Sequence, residues 1–465
     1  MNLRLVLNMN EQGSQIEHKN LTFIRDLFFV GMLLALLANF FVSSYANLKP
    51  TEMLIFYSND GWCDSDTEGI GNHCFGDFAY GFKQESTSLL NDSPWTVNKN
   101  WTYPPLALLY FTPFYQLKVL TGNLSIPLYT HLFISIFCLL FPVLHLFTRK
   151  IISLRRSFII STIILCLAPS LMIIDRGNNL VVLLPFLYLF YIKFLQEKYN
   201  VAVVFIALMT IWRPQMFLLS LAFLPRRQWY MIIKTSAMSV AFLVTSFFVY
   251  QPGKFIENIS AWLENSRNYQ GIQTLPSVFP TNWSFANSSS IIFDLLRNLL
   301  LNSSDTSLKI SSQDVQNLSG IFLLVTGFLL YKSRIRNRFQ ILIISTLLPI
   351  LSPGVTFGYY LSLLIIPAIL IMTYLLKKEE SVNSVEEKII YQYVINLLGR
   401  GYSRALTAVT ILLVFVPWPL TSRLWDNSYQ DATSALSITW LAAPVFLLIW
   451  FFLNFRISTA RSTEH

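Results

Sequence analysis

The chain has 465 residues, 54% hydrophobic and 13% charged, with 34 Lys and Arg against 25 Asp and Glu and a formal net charge of +9. Soluble domains carry roughly 25% charged residues, so this chain has too little polar surface to cover a water-soluble fold of its length. Nucleic-acid binding is a poor fit as well, because the basic residues fall in short clusters between apolar runs and form no continuous stripe.

Apolar runs of spanning or near-spanning length fall at about residues 24–46, 125–147, 157–174, 179–195, 200–225, 230–250, 316–332, 338–352, 358–376, 403–420 and 437–455. The first follows a polar stretch and lacks a small-residue cleavage site, which reads as a retained membrane helix. Positive clusters mark cytoplasmic loops: Arg149, Lys150, Arg155 and Arg156; Arg226 and Arg227; Lys332, Arg334, Arg336 and Arg338; Lys377 and Lys378. If the aromatic-rich run Pro104 to Leu120 crossed the membrane, the Arg149 cluster would land outside. That run is therefore expected to lie flat at the outer surface.

Val201 to Leu224 has the length of one span, yet it carries Trp212-Arg213-Pro214 at its centre and cytoplasmic-type charges at both ends. Proline inside a span frees backbone groups that are tolerated only against protein or water. A broken hairpin with Arg213 at its apex, facing a cavity, is expected. With both arms counted, the fold class is an all-α, polytopic integral membrane protein. It is one domain over residues 1–465 with about twelve membrane segments and both termini cytoplasmic. The large outer pieces are then 47–124 and 251–314, and the segment from Lys377 to Lys388 reads as a solvated linker.

The first outer piece holds Glu52, Asp60, Asp64, Asp66, Glu68, Asp77, Glu85 and Asp92 against Lys49, Lys83, Lys99 and Lys118, which puts the chemistry on that face. Cys63 and Cys74 share the loop and could be bridged on an oxidising side of the membrane. Cys138 and Cys166 lie in apolar runs and read as small buried residues. Asp64-x-Asp66-x-Glu68-Gly69 imitates the start of a calcium loop, but the twelfth position is Phe75 where a bidentate Glu is required. His131 and His145 read as packed or hydrogen-bonded, not as ligands, and the histidines make no zinc pattern. Outer sequons include Asn91, Asn100, Asn123, Asn258, Asn282, Asn287 and Asn302, relevant only if the outer face is an endoplasmic reticulum lumen.

The most specific stretch is Gly76-Asp77-Phe78-Ala79-Tyr80, followed by Trp101-Thr102-Tyr103-Pro104-Pro105-Leu106. It resembles the first outer loop of the GT-C superfamily of membrane glycosyltransferases, and within it family 87, the polyprenyl-phosphate-mannose-dependent transferases. Asp175-Arg176-Gly177-Asn178-Asn179, Trp212-Arg213-Pro214 and Leu351-Ser352-Pro353 follow in the family's order. The likeness covers about residues 24–376, with 47–124 as the outer catalytic loop and 377–465 as further membrane segments. One departure is Thr356-Phe357-Gly358-Tyr359-Tyr360, where family members often have His after the Ser-Pro.

The resemblance implies a multi-pass enzyme with outer-face juxtamembrane helices that moves a sugar, mannose first, from a polyprenyl-phosphate donor to a glycolipid or glycan acceptor with inversion. It would act in the plasma membrane of a prokaryote or the endoplasmic reticulum of a eukaryote. Such a transfer needs a base for the acceptor hydroxyl and cations around the departing phosphate. Asp77 fits the base, and its other reading is a cap for a helix beginning near Phe78. Arg213 and Arg176 fit the phosphate, while Tyr103, Asn178, Tyr359 and Tyr360 are candidates to line the cavity. No cofactor and no metal site are expected; a divalent metal held by Asp77 is the open alternative. Transfer of arabinofuranose or another polyprenyl-linked sugar is a second reading, and a lipid or sugar transporter or flippase a third, since broken helices also serve transport sites.

Overall fold

The computed structural model describes residues 26–38, 40–41, 44, 78, 94–97, 102–123, 125–175, 177–273, 312–333, 335–353, 358–375, 384–398, 401–416 and 437–459. Among the described residues there are helices and no strand. The helices are α1 Asp26–Ala38, α2 Pro94–Val97, α3 Pro105–Leu109, α4 Thr112–Thr121, α5 Ser125–Thr148, α6 Leu154–Cys166 and α7 Ala168–Asp175. Then come α8 Leu183–Leu195, α9 Tyr199–Trp212, α10 Trp229–Tyr250, α11 Phe255–Gln273, α12 Ser312–Lys332 and α13 Arg338–Leu351. The last are α14 Ile365–Leu375, α15 Val385–Leu398, α16 Gly401–Phe415 and α17 Ser437–Thr459. Four 3₁₀ segments, Asn179–Val182, Pro214–Arg226, Pro252–Lys254 and Gly358–Leu364, lead into α8, follow α9, lead into α11 and lead into α14.

Apolar side chains dominate both the interior and the outside. Phe133, Phe158, Tyr230, Val249 and Leu324 are exposed, as expected of helices whose outer face meets lipid tails instead of water. Among the described residues, α5 and α10 are long and apolar enough to cross a membrane by themselves, and the bent pairs α6–α7 and α15–α16 raise the number of such units to four. The other apolar helices are shorter, at 10–17 residues. The described helices thus give up to four full-length spans together with shorter apolar helices, where the sequence led to an expectation of about twelve membrane segments. The apolar runs are long enough, but several are interrupted. The run at 157–174 bends by 66° between Cys166 and Ala168, and the run at 358–376 begins as 3₁₀ helix.

The interruption at Arg213 gives the hairpin expected from the sequence. Tyr199, at the start of α9, lies 5.8 Å ring to ring from Phe223, near the end of Pro214–Arg226, so the second arm runs back along the first. Thirteen residues of 3₁₀ helix are far beyond the usual three or four. At about 2.0 Å per residue they reach roughly 26 Å, whereas the 14-residue α9 reaches about 21 Å.

Helix ends collect in two places. At one end, Arg338 pairs with Glu197 at 2.6 Å and donates to the Leu195 carbonyl, Arg226 donates to the Arg336 carbonyl at 2.9 Å, and Trp229 packs on Tyr331 at 5.5 Å. The ends of α8, α9, α10, α12 and α13 that carry these residues therefore share one side. At the opposite ends of the same elements lie Asn179, Arg213, Tyr250 and Ser352. Of the basic residues that the charge rule assigns to one side, Arg226, Arg336 and Arg338 do gather at one end of the bundle.

The run Pro104 to Leu120 forms the two short helices α3 and α4, each far too short to cross a bilayer. It buries Ala107, Leu108, Phe111 and Phe114 and exposes Leu109, Val119 and Leu120. Three expectations need correction. Lys377 to Lys388 is not wholly a linker, because α15 begins at Val385 and buries Glu387 along with Ile390, Tyr393 and Val394; its charges occupy only the first turn of an otherwise apolar helix. Cys138 is buried but Cys166 is exposed, since it ends α6 on the face away from the core. The sequon residue Asn258 has a fully buried side chain that donates to Gln251 Oε1 at 3.0 Å, so it is closed to a glycan.

Candidate functional site

Pro214 has no N–H and disfavours helical backbone in the residue before it. Arg213 is accordingly extended, with φ −141° and ψ 103°. Its N–H closes α9 on the Met209 carbonyl at 2.9 Å and its carbonyl accepts from Met216 N–H at 2.9 Å. The chain thus reverses at Arg213 with its backbone groups satisfied, and the side chain turns inward to only 6% exposure. Its Nη2 donates to Asn179 Oδ1 at 2.8 Å and to Asn178 Oδ1 at 3.1 Å. The guanidinium carbon stands 4.1 Å from the centroid of the Tyr103 ring. Burying a cation costs several kcal/mol. Hydrogen bonds from a charged donor contribute about 1.5–3 kcal/mol each, and a desolvated cation–π contact about 2 kcal/mol, so this cradle offsets much of that cost.

The cradle is fixed from several directions. The Asn178 side chain also caps the 3₁₀ turn by accepting from Leu180 N–H at 2.8 Å, and Gly177 ahead of it has φ +60°, a left-handed turn that glycine adopts without strain. Asn179 Nδ2 donates to the Ala107 carbonyl in α3 at 3.2 Å. The Thr102-Tyr103 strap is held by two indoles: Trp262 Nε1 donates to the Thr102 carbonyl at 2.8 Å and Trp95 Nε1 to the Tyr103 carbonyl at 2.9 Å. Asn265 Nδ2 in turn donates to the Trp95 carbonyl at 2.8 Å. Helix α11 therefore locks the strap that lies over Arg213.

Beyond the hairpin apex, Gln215 Nε2 donates to the Tyr360 hydroxyl, which brings the 3₁₀ turn Gly358–Leu364 beside the break. On the other flank the Tyr110 ring lies 5.7 Å from Trp212. Burial pushes the Tyr110 phenol well above its ordinary value, so the hydroxyl stays protonated and able to donate. Such a cluster of a caged guanidinium, amide groups and aromatic rings has the chemistry to meet an anionic group.

Of the sequence candidates, Tyr103, Asn178 and Arg213 meet at one point, and Tyr360 is tied to the same apex through Gln215. Asp77, Arg176, Cys63 and Cys74 lie outside the described residues, as does the Tyr359 side chain. So do the calcium-like residues Asp64, Asp66 and Glu68. Among the described residues no group of three His, Cys, Asp or Glu side chains could hold a metal ion. Sequence reasoning missed Asn179, although it directly follows Asn178, and it missed Trp95, Trp262 and Asn265, whose partners are backbone carbonyls that no side-chain pattern reveals.

Glycosyltransferase family 87 has a family model that matches residues 101–353, more than half of the chain. The chain belongs to glycosyltransferase family 87. No curated protein matches it. The matched stretch of this family 87 member runs from Trp101, beside the strap, through the Asn178-Asn179 turn and the Arg213 hairpin to Pro353. Every element of the Arg213 cradle thus falls within it, apart from the Trp95 tether. Family membership makes the protein a membrane glycosyltransferase and the cradle its candidate active site.

Proposed function

We propose that the protein transfers mannose from a polyprenyl-phosphate donor to a hydroxyl of a glycolipid or glycan on the outer face of the membrane, with inversion. The acceptor oxygen attacks the anomeric carbon, the bond from that carbon to the phosphate oxygen breaks, and the hydroxyl proton passes to Asp77. Polyprenyl phosphate departs with the electron pair of the broken bond, its charge balanced by Arg213 and Arg176. The observation that carries this reading is the buried Arg213 at a break between membrane helices, held by two amide oxygens and an aromatic face. Ionisable groups in such places are functional by default, and preorganised cations near developing charge lower the barrier to its departure. Tyr359 and Tyr360 complete the donor groove, and Tyr103 and Asn178 hold the guanidinium in register. The gathering of Arg226, Arg336 and Arg338 at the far end supports an outer location for the Arg213 end, since basic loops stay cytoplasmic.

The test uses purified protein in nanodiscs with labelled polyprenyl-phosphate mannose and a panel of glycolipid acceptors. A mannosylated lipid is expected. Product only with a polyprenyl-phosphate arabinofuranose donor would move the reading to that sugar, and no product with either donor would overturn the donor class. Sidedness has its own check: Lys118→Cys should react with a membrane-impermeant thiol reagent from outside intact cells.

A further inference from the structure

A tight reversal at the end of α5 turns the chain into α6. Lys150 takes the left-handed conformation, φ +57°, and Ile151 N–H donates to the Leu146 carbonyl at 3.0 Å, while the buried Ile152 plugs the turn into the core. This corner carries Arg149 and Lys150 and opens α6 with Arg155 and Arg156; the first three are exposed and Arg156 is half-buried. Helix α5 runs from His131, whose Nδ1 is 2.7 Å from the Tyr110 hydroxyl, to His145, whose Nδ1 is 2.9 Å from the Tyr188 hydroxyl in α8. The corner therefore lies toward the Leu195 end of α8, the end that holds Arg338 and Arg226, and away from the Arg213 cradle.

The cations of this end divide into two kinds. Arg338 pairs with Glu197 at 2.6 Å, Arg226 donates to the Arg336 carbonyl at 2.9 Å and Lys234 donates to Asn200 Oδ1 at 2.8 Å. Among the described residues, Arg149, Lys150, Arg155 and Arg156 have neither an ion pair nor a side-chain hydrogen bond. The chain has no Asp or Glu between Ser125 and Ile174, so no neighbour in sequence neutralises them. Nor do the two later arginines serve their helix: they fall in the first turn of α6, where a positive charge opposes the helix dipole. Exposed apolar side chains border the cations on both helices, Leu144 and Phe147 before Arg149, and Leu154 and Phe158, one turn apart on α6, at 71% and 73% exposure. Uncompensated charge beside an apolar shelf matches a phosphate diester with its acyl chains; a small soluble anion has no use for the shelf.

We propose that the α5–α6 corner binds the headgroup of an anionic phospholipid in the leaflet that meets this end of the bundle, with Arg149, Arg155 and Arg156 on the phosphate and an acyl chain along Leu154 and Phe158. Clustered cations beside a membrane helix attract anionic lipids through their summed charge, and arginine adds directed hydrogen bonds to phosphate oxygens. The headgroup provides the counter-charge that the chain itself lacks there. The site is separate from the Arg213 cradle, and its occupation does not depend on sugar transfer.

The experiment is native mass spectrometry of the full chain in detergent, titrated with phosphatidylglycerol or with phosphatidylcholine. Wild type should hold phosphatidylglycerol at least about tenfold more tightly than phosphatidylcholine. The triple variant Arg149→Gln, Arg155→Gln, Arg156→Gln should lose that preference. A control that removes as many charges elsewhere at the same end, Lys198→Gln, Arg227→Gln, Lys234→Gln, should keep its phosphatidylglycerol affinity within about twofold of wild type. Arg155→Gln alone, at an exposed position, should weaken phosphatidylglycerol by about threefold, and it decides the matter if the triple variant does not assemble. No preference in wild type, an unchanged affinity in Arg155→Gln, or equal losses in the corner and control variants overturns the assignment. So does displacement of the lipid by an excess of glycerol 3-phosphate, which would make the corner a site for a soluble phosphate.

Discussion

Arg338 and Arg213 occupy opposite ends of the same bundle and are treated differently. Arg338, 18% exposed, pairs with Glu197, which is 53% exposed, and nearby Arg226 donates to the Arg336 carbonyl. Arg213 is buried to 6% exposure and is met by two asparagine oxygens and a tyrosine face. A charge that stays near water orients a membrane protein and costs little to keep. A charge withdrawn into the helices needs a built cradle, and a cradle supplied by amide oxygens, which compensate the charge only in part, leaves the site attractive to an anion.

That contrast can be broken or sharpened by substitution, with effects expected to fall in order. Asp77→Asn should lower kcat by about 1000-fold, the middle of the range for a general base, with unchanged membrane insertion; a retained rate would mean that the aspartate only caps a helix. Arg213→Lys keeps the charge but cannot donate to Asn178 and Asn179 while lying flat on Tyr103. A loss of about 100-fold in kcat/KM is expected, measured with the donor below saturation. Trp262→Phe removes a single hydrogen bond to the strap, worth about 0.5–1.5 kcal/mol. Donor KM should rise by about 2- to 10-fold with kcat nearly kept. At the other end, Glu197→Gln should leave transfer unaltered and change stability by no more than about 1 kcal/mol, read from thermal unfolding in detergent.

Much of this contrast was legible in the sequence, because two strong physical signals survive without coordinates. Loop charge assigned Arg226, Arg336 and Arg338 to one side, and a proline next to an arginine inside an apolar run marked the Arg213 break. The order of Tyr103, Asn178 and Arg213 pointed to one site, and these three do meet. Hydropathy, however, counts apolar length and not helical continuity, so it could not see the bend between Cys166 and Ala168 or the helix that starts at Val385. It was equally blind to Trp95 and Trp262, whose indoles serve backbone carbonyls. Asn179 was within reach, since an asparagine pair beside an arginine offers two acceptors for one guanidinium.

The central claim is that Arg213 is caged to receive a lipid phosphate. Binding of unglycosylated polyprenyl phosphate to the purified protein, compared between wild type and Arg213→Met, tests it without any acceptor or any assumption about the sugar. Wild type should bind and Arg213→Met should lose at least about tenfold in affinity, the effect of roughly 1.4 kcal/mol, at similar thermal stability. Equal affinity in two equally stable proteins would contradict the assignment and leave Arg213 as a structural cation at a helix break.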